Sequence, residues 1–265
     1  MNAPLEASIA PFVLARLDGS VCRLTLNRGE RYNALSRGMI DALQTELVRI
    51  AADPAIRCVV LGAEGKGFCA GHDLKELRAH PDIEWQRELF SACNALMIFL
   101  TTMPQPIIAR VHGIATAAGC QLVSMCDLAV AADTARFALP GVNVGVFCTT
   151  PAVGVGRNLA RKRVMQMLLT GEPIDASTAL AWGLVNRVAP AAELDAAVRA
   201  FTDIIVARSR TVVAAGKQAF YRQIDLGLEP AYELAGDAMA CNLLEPDAHE
   251  GIDAFVEKRP PKWRG

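Results

Sequence analysis

The chain has 265 residues, 52% of them hydrophobic and 21% charged, with a formal net charge of −1 and an isoelectric point near 6.4. That composition supports a large buried core and excludes an intrinsically disordered chain. It also leaves no net basic field to recruit nucleic acid or an anionic membrane, and no apolar run approaches the roughly 20 residues that span a bilayer.

The opening MNAPLEASIAPF lacks the basic start and unbroken apolar stretch of a secretory leader, so a cytoplasmic protein is expected. Val13 to Leu17 and Val21 to Leu26 alternate apolar and polar positions around Asp18-Gly19, which predicts a tight β-hairpin. With Asn33 or Ser36 as N-cap, Met39, Ile40, Leu43, Leu47, Ile50 and Ala51 recur at helical spacing as far as Pro54. Cys58 to Leu61 suits a short strand buried on both faces. The loop GKGFCAGHDLKEL then runs into a helix. A second helix, Ile83 to Met103, carries Leu89, Cys93, Leu96 and Leu100 on one side and is ended by Pro104 and Pro106.

The pattern repeats as strand Ile107 to Val111, small-residue loop GIATAAG, helix Cys120 to Met125 and strand Leu128 to Ala132. Such alternation predicts a layered α/β core. Beyond about Ala192 the strand signal stops, and Glu193 to Ala207, Arg210 to Ile224 and Pro230 to Leu244 read as helices that serve either intramolecular packing or assembly.

Cysteines 22, 58, 69, 93, 120, 126, 148 and 241 form no CxxC pair and read as reduced, mostly buried thiols. VGVGRNLA lacks the third glycine of a dinucleotide fingerprint, and GAEGK lacks the spacing of a phosphate-binding P-loop. The four histidines show no ligand spacing, so no metal is expected.

Two places share one physical logic, a buried strand running through a Gly/Ala loop into a helix: Ala70-Gly71-His72-Asp73 and Ala117-Ala118-Gly119-Cys120. Small residues admit a ligand to the backbone, and free N–H groups at a helix start favour an anion or developing oxyanion. Facing each other, the loops supply a two-donor oxyanion hole. Taken singly, each serves tight helix-to-strand packing equally well.

FCAGHDLKEL (68–77) and HGIATAAGCQL (112–122) resemble the AGxDLKE and NGxAxGGGxEL signatures of the crotonase, or enoyl-CoA hydratase/isomerase, superfamily. LNRGERYNALS, MCDLAVA, FALPGVNVG, LLTGEPIDASTALAWGLV and FVEKRPPKW follow its landmarks in order. The resemblance implies an α/β fold with a ββα spiral core over residues 1–195, a helical trimerisation region over 196–265, and a homotrimer or homohexamer. Its partner is an acyl-CoA substrate. No cofactor is bound permanently; coenzyme A arrives as part of the thioester.

By the same resemblance, the backbone amides of His72 and Ala118 form the oxyanion hole. Ala70, Asp73, Leu74 and Lys75 line the coenzyme A site; Lys75 or Lys66 meets its phosphates, with Arg28 and Lys258 as further candidates, and each of these cations is otherwise a solvated surface charge. The two family glutamates are replaced by Gln121, which cannot titrate, and Gly141, which has no side chain and widens the loop after FALP for a bulkier acyl group. The His72 imidazole and the Cys148 thiol are alternative proton-transfer or nucleophilic groups, and Asp73 is a base or a helix cap. Glu76 and Glu84 enter the acyl pocket or lie on a solvated face, and His112 is structural. GHDLKEL, TAAGCQL and PGVNVGxFCxTP further resemble the enoyl-CoA-hydratase-domain-containing group, which lacks both glutamates. The implied activity is hydratase-like, of lyase or isomerase class, with isomerisation, thioester hydrolysis, decarboxylation or simple acyl-CoA binding as alternatives.

Overall fold

Alternating side chains fold β1 (Val13–Asp18) against β2 (Val21–Leu26) as an antiparallel hairpin with Val13 opposite Leu26. The computed structural model describes residues 10–264; most of the segment behind the leader comparison lies outside the described residues. The turn falls on Gly19 and Ser20, one residue later than the Asp18-Gly19 reading, with Gly19 at φ +60°.

Helix α1 (Arg37–Ala52) starts at Ser36, whose hydroxyl accepts from the Met39 amide at 3.3 Å, and buries Met39, Ile40, Leu43, Leu47 and Ile50. The chain continues through β3 (Cys58–Ala63), α2 (Leu74–Ala79), α3 (Ile83–Thr102), β4 (Ile107–Val111), β5 (Ile114–Thr116), α4 (Ala118–Met125), β6 (Leu128–Ala132) and β7 (Arg136–Ala138). A 3-10 turn, Pro140–Val144, leads to α5 (Thr149–Asn158), α6 (Arg161–Thr170), β8 (Ile174–Asp175), α7 (Ala176–Trp182) and β9 (Arg187–Ala189). The segment GIATAAG is thus partly a strand, not a loop throughout.

The main sheet runs β1-β2-β3-β4-β6-β9, parallel from β2 onward, and β5, β7 and β8 form a small second sheet. In the main sheet β3, β4 and β6 are near-continuous apolar runs because both faces are covered there. One face packs on the principal core; on the other, Cys58, Val60, Ile108 and Val130 meet Leu194 and Val198 of α8 (Leu194–Val206). Adjacent parallel β3 and β4 end on the same side of the sheet; the first Gly/Ala loop follows β3, and the second follows β5, which comes two residues after β4 and belongs to the small sheet.

Three more helices follow: α9 (Arg210–Gln223), α10 (Leu228–Leu243) and α11 (Pro246–Val256). The last extends the sequence reading, and Pro246 opens it at a position where a missing N–H costs nothing. Helix α9 is tied to the core by Lys217, whose buried ammonium donates to Leu100 O (2.8 Å), Gln105 O (2.9 Å) and Asp127 Oδ2 (2.8 Å). Burial pushes the Lys217 ammonium below its ordinary range, and the Asp127 carboxylate opposes that shift. Breaking a buried pair from one side strands the other charge. Lys217→Met is therefore expected to cost about 3–5 kcal/mol in denaturant unfolding, and adding Asp127→Asn should recover part of that loss. A single-variant loss below about 1 kcal/mol, the worth of an exposed pair, would show that α9 is docked by other contacts.

Candidate functional site

Asn33 pins the first loop from behind. Fully buried at φ 52°, it accepts from the Arg28 amide (2.8 Å) through Oδ1 and donates through Nδ2 to Glu64 O (2.8 Å) and Gly67 O (3.0 Å). Gly29 and Gly65 stand back to back, so that a β-carbon on Gly65 would come within 2.5 Å of the Gly29 α-carbon. Further along, the Ala70 amide donates to Tyr32 O (2.9 Å) and the Leu35 amide to Gly71 O (2.8 Å). The motif LNRGERYNALS is therefore a bracket for the strand-to-helix loop that follows β3.

The second loop closes on the first. The Phe68 and Cys69 amides donate to Ile114 O (2.9 and 3.1 Å), the Thr116 amide returns to Cys69 O (2.9 Å), and the Thr116 hydroxyl donates to Ala70 O (3.0 Å). Gly119 permits this approach, since a β-carbon there would lie 2.1 Å from Cys69 O. Gly71, at φ +87°, has room for no side chain: a β-carbon would meet the Ala117 methyl at 2.9 Å and the Ala118 nitrogen at 3.1 Å. The residues preceding the two expected donors are thus in contact.

Among the described residues, neither the His72 amide nor the Ala118 amide donates to a protein acceptor. Ala118 opens α4, whose first return bond runs from the Gln121 amide to Ala117 O (3.0 Å), so its N–H has no helical partner. Ala117 has φ 49° and ψ −120°, a conformation that costs a non-glycine residue roughly 1–3 kcal/mol. The run of small residues in TAAG announced close approach; it did not show that Ala117, rather than a glycine, takes the positive φ.

The side chains divide sharply. The His72 imidazole packs edge-on against Phe90 (centroids 5.1 Å apart), and its Nε2 is buried without a partner among the described residues. Burial pushes its pKa down to about 4, so the ring is neutral and weakly basic. Asp73 caps α2, accepting from the Lys75 (2.9 Å) and Glu76 (3.2 Å) amides. Glu76 accepts from the Arg37 amide (2.9 Å), Glu84 pairs with Arg87 (2.6 Å), and His112 Nε2 bonds Gly65 O (2.9 Å). Gln121 is only 3% exposed, and its Oε1 has no partner among the described residues.

At Gly141 the widened-pocket expectation is overturned. A β-carbon there would sit 2.3 Å from Val146 O and 2.9 Å from Cys148 Sγ, so the space is already filled. Cys148 itself is buried, and burial pushes its thiol up, partly offset by a backbone hydrogen bond with Gly141. An activated thiolate is opposed rather than supported by this setting.

A surface groove of about 560 Å³ brings Arg28, Asp73 and Lys75 together beside α2. Lys75 is exposed there, as are Leu74 and Ala70 on the same loop. Arg28 is committed elsewhere: its guanidinium donates to the carbonyls of Ala10 (2.5 Å), Pro11 (3.0 Å) and Asn27 (2.6 Å) and lies 4.1 Å over the Phe12 ring. Lys66 and Lys258 are exposed but do not border the groove of their own chain.

Residues 16–265 match the family model described as enoyl-CoA hydratase/isomerase. The chain is 44% identical over 263 residues to the mitochondrial enoyl-CoA hydratase domain-containing protein 3 of Xenopus laevis, covering 99% of this chain and 90% of that one. It superimposes on an enoyl-CoA hydratase of Mycobacterium smegmatis with a TM-score of 0.94 at 52% identity, covering 96% of this chain and 100% of that one. For human enoyl-CoA hydratase domain-containing protein 3 the TM-score is 0.92 at 42% identity, with coverages of 95% and 100%. The frog relative and its mammalian counterparts are named as mitochondrial, which overturns the cytoplasmic expectation. The character of the first dozen residues does not decide a compartment.

The neutral His72 sets a pH dependence. Its folded pKa of about 4 lies below the unfolded value of roughly 6.5, so the unfolded chain takes up the proton first. Stability is complete above about pH 6.5 and falls by up to roughly 3 kcal/mol as the pH drops toward 4. Unfolding free energies for His72→Phe, which keeps the backbone amide, should lose that slope; an unchanged slope would place the acid sensitivity elsewhere.

Proposed function

Because the chain belongs to the enoyl-CoA hydratase/isomerase family and is a hydratase-like enzyme of acyl-CoA, we propose that it grips its substrate by the thioester oxygen, between the amides of His72 and Ala118. The observation that carries this reading is the contact of Gly71 with Ala117 and the Ala118 nitrogen, which sets two unpartnered amides on apposed loops. Paired donors of this kind stabilise an enolate more than a ground-state carbonyl. Lys75 in the neighbouring groove is proposed to meet the coenzyme A phosphates as a point charge.

The reaction proposed is one that needs no carboxylate base. Gln121 does not titrate, the place of a side chain at 141 is taken by Cys148, His72 is weakly basic, and Asp73, Glu76 and Glu84 are engaged elsewhere. Decarboxylation of a malonyl-type thioester fits those groups. The bond from the α-carbon to the carboxylate breaks, its electron pair moves into the thioester enolate held by the two amides, carbon dioxide leaves, and a proton from water then returns to the α-carbon. Malonyl-CoA should turn over faster than crotonyl-CoA is hydrated, as followed by thioester-specific chromatography. Faster hydration of crotonyl-CoA would reject the reaction. Separately, butyryl-CoA should bind about tenfold or more tightly than its thioether S-butyl-CoA, as two hydrogen bonds to one oxygen imply.

We also propose that the helices beyond α8 serve assembly; the expected boundary at 195/196 falls inside α8, whose Leu194 and Val198 pack on the main sheet. Leu228 (77%), Leu244 (77%) and Phe255 (85%), in or bordering α10 and α11, are exposed apolar side chains that other copies would cover. Sedimentation should return three or six times the 28.4 kDa chain mass. A monomer would contradict the assembly reading.

A further inference from the structure

We infer that Ala117 is the positioning residue of the two-amide site, holding the Ala118 donor under a backbone strain that the bound thioester must offset. The inference rests on the function proposed above. Ala117 immediately precedes Ala118, and Gly71 immediately precedes His72. The Ala117 methyl occupies the space beside Gly71, 2.9 Å from where a β-carbon of that residue would stand. One side chain therefore touches the backbone leading to both donors.

Its conformation, φ 49° and ψ −120°, is that of the first central residue of a type II′ turn, a place glycine dominates. The family pattern matched by HGIATAAGCQL has glycine at this position as well as at the next. Ala118 lies within the helix and is unstrained, whereas Ala117 is not. Hydrogen bonds hold it in place from both sides: its amide donates to Ala138 O (2.9 Å), its carbonyl accepts from the Gln121 amide (3.0 Å), and Thr116 bonds Cys69 O (2.9 Å) and Ala70 O (3.0 Å). Rotation at Ala117 relieves the methyl at the cost of the Gln121 bond to its carbonyl, and carries the Ala118 N–H of the same peptide with it. The donor-aligned state is therefore less favoured than it would be with glycine, and a ligand that needs that donor binds more weakly in proportion.

Ala117→Gly tests this, because glycine adopts the observed conformation without cost and the fold is not put at risk. Calorimetric titration with butyryl-CoA should show tightening of about three- to tenfold, while S-butyl-CoA, which has no carbonyl oxygen, should bind as before. The carbonyl stretch of bound butyryl-CoA should move to lower frequency in the variant, reporting a stronger pull from the amides. Ala117→Ser, which keeps a β-carbon, should show neither effect. Equal tightening of both ligands, no tightening, or a raised melting temperature alone would overturn the assignment and leave Ala117 a purely structural residue. If wild-type protein fails to distinguish butyryl-CoA from S-butyl-CoA, the two-amide reading itself fails. If wild type distinguishes them and Ala117→Gly does not shift the ratio, only the role of Ala117 fails.

Discussion

The site depends on one close approach of two backbones, residues 69–71 against residues 116–119. Two glycines make it sterically possible: Gly119 lets the start of α4 sit on the Cys69 carbonyl, and Gly71 turns away with a positive φ where any side chain would strike Ala117. The sheet provides the occasion for this contact. Strands β3 and β4 are adjacent and parallel, so the segments after them leave at the same end, as in open α/β sheets whose ligands sit beyond the carboxyl ends of the strands. Strand β5, two residues after β4, then pairs with Cys69. Asn33 and the Gly29–Gly65 contact then fix the first loop from the opposite side. Geometry at the candidate donors is thus set by main-chain packing, and side chains there are free to differ from the family pattern.

That freedom has an electrostatic consequence. A hydratase with two carboxylates brings negative charge to the acyl group. Here Gln121 is neutral, burial keeps the His72 ring and the Cys148 thiol uncharged near neutral pH, and the nearby Asp73 and Glu76 carboxylates accept from backbone amides. On the proposed reading, the field on a bound thioester comes from oriented amides and the start of α4 rather than from titrating groups. A site of that kind does not repel a substrate carboxylate, and it favours charge that develops on the thioester oxygen.

Much of this was legible in the residues because local rules act there unopposed. Period-two alternation gave the opening hairpin, helical spacing gave α1 and α3, and unbroken apolar runs gave strands covered on both faces. The motif strings pointed to the two loops that the fold brings into contact; the donor roles of His72 and Ala118 remain proposed. Other features arise only from contacts between distant segments. β5 lies within a stretch of small residues that carries no strand pattern of its own and forms because β7 pairs with it. Cys148 fills the space at Gly141 across a loop closed by the Val146 amide bonding Gly141 O (2.9 Å). Arg28 read as a phosphate contact, yet its guanidinium donates to the Ala10 and Pro11 carbonyls, which only the folded chain brings near. Ala117 carries no signal in its type, since a residue with a β-carbon rarely adopts a positive φ.

The central claim is met most directly by a crystal structure of the protein with a bound acyl-CoA thioester. The thioester oxygen is expected about 2.7–3.1 Å from both the His72 and the Ala118 nitrogens. A bound thioester with its oxygen turned to solvent, or to only one of the two nitrogens, would contradict the two-amide reading.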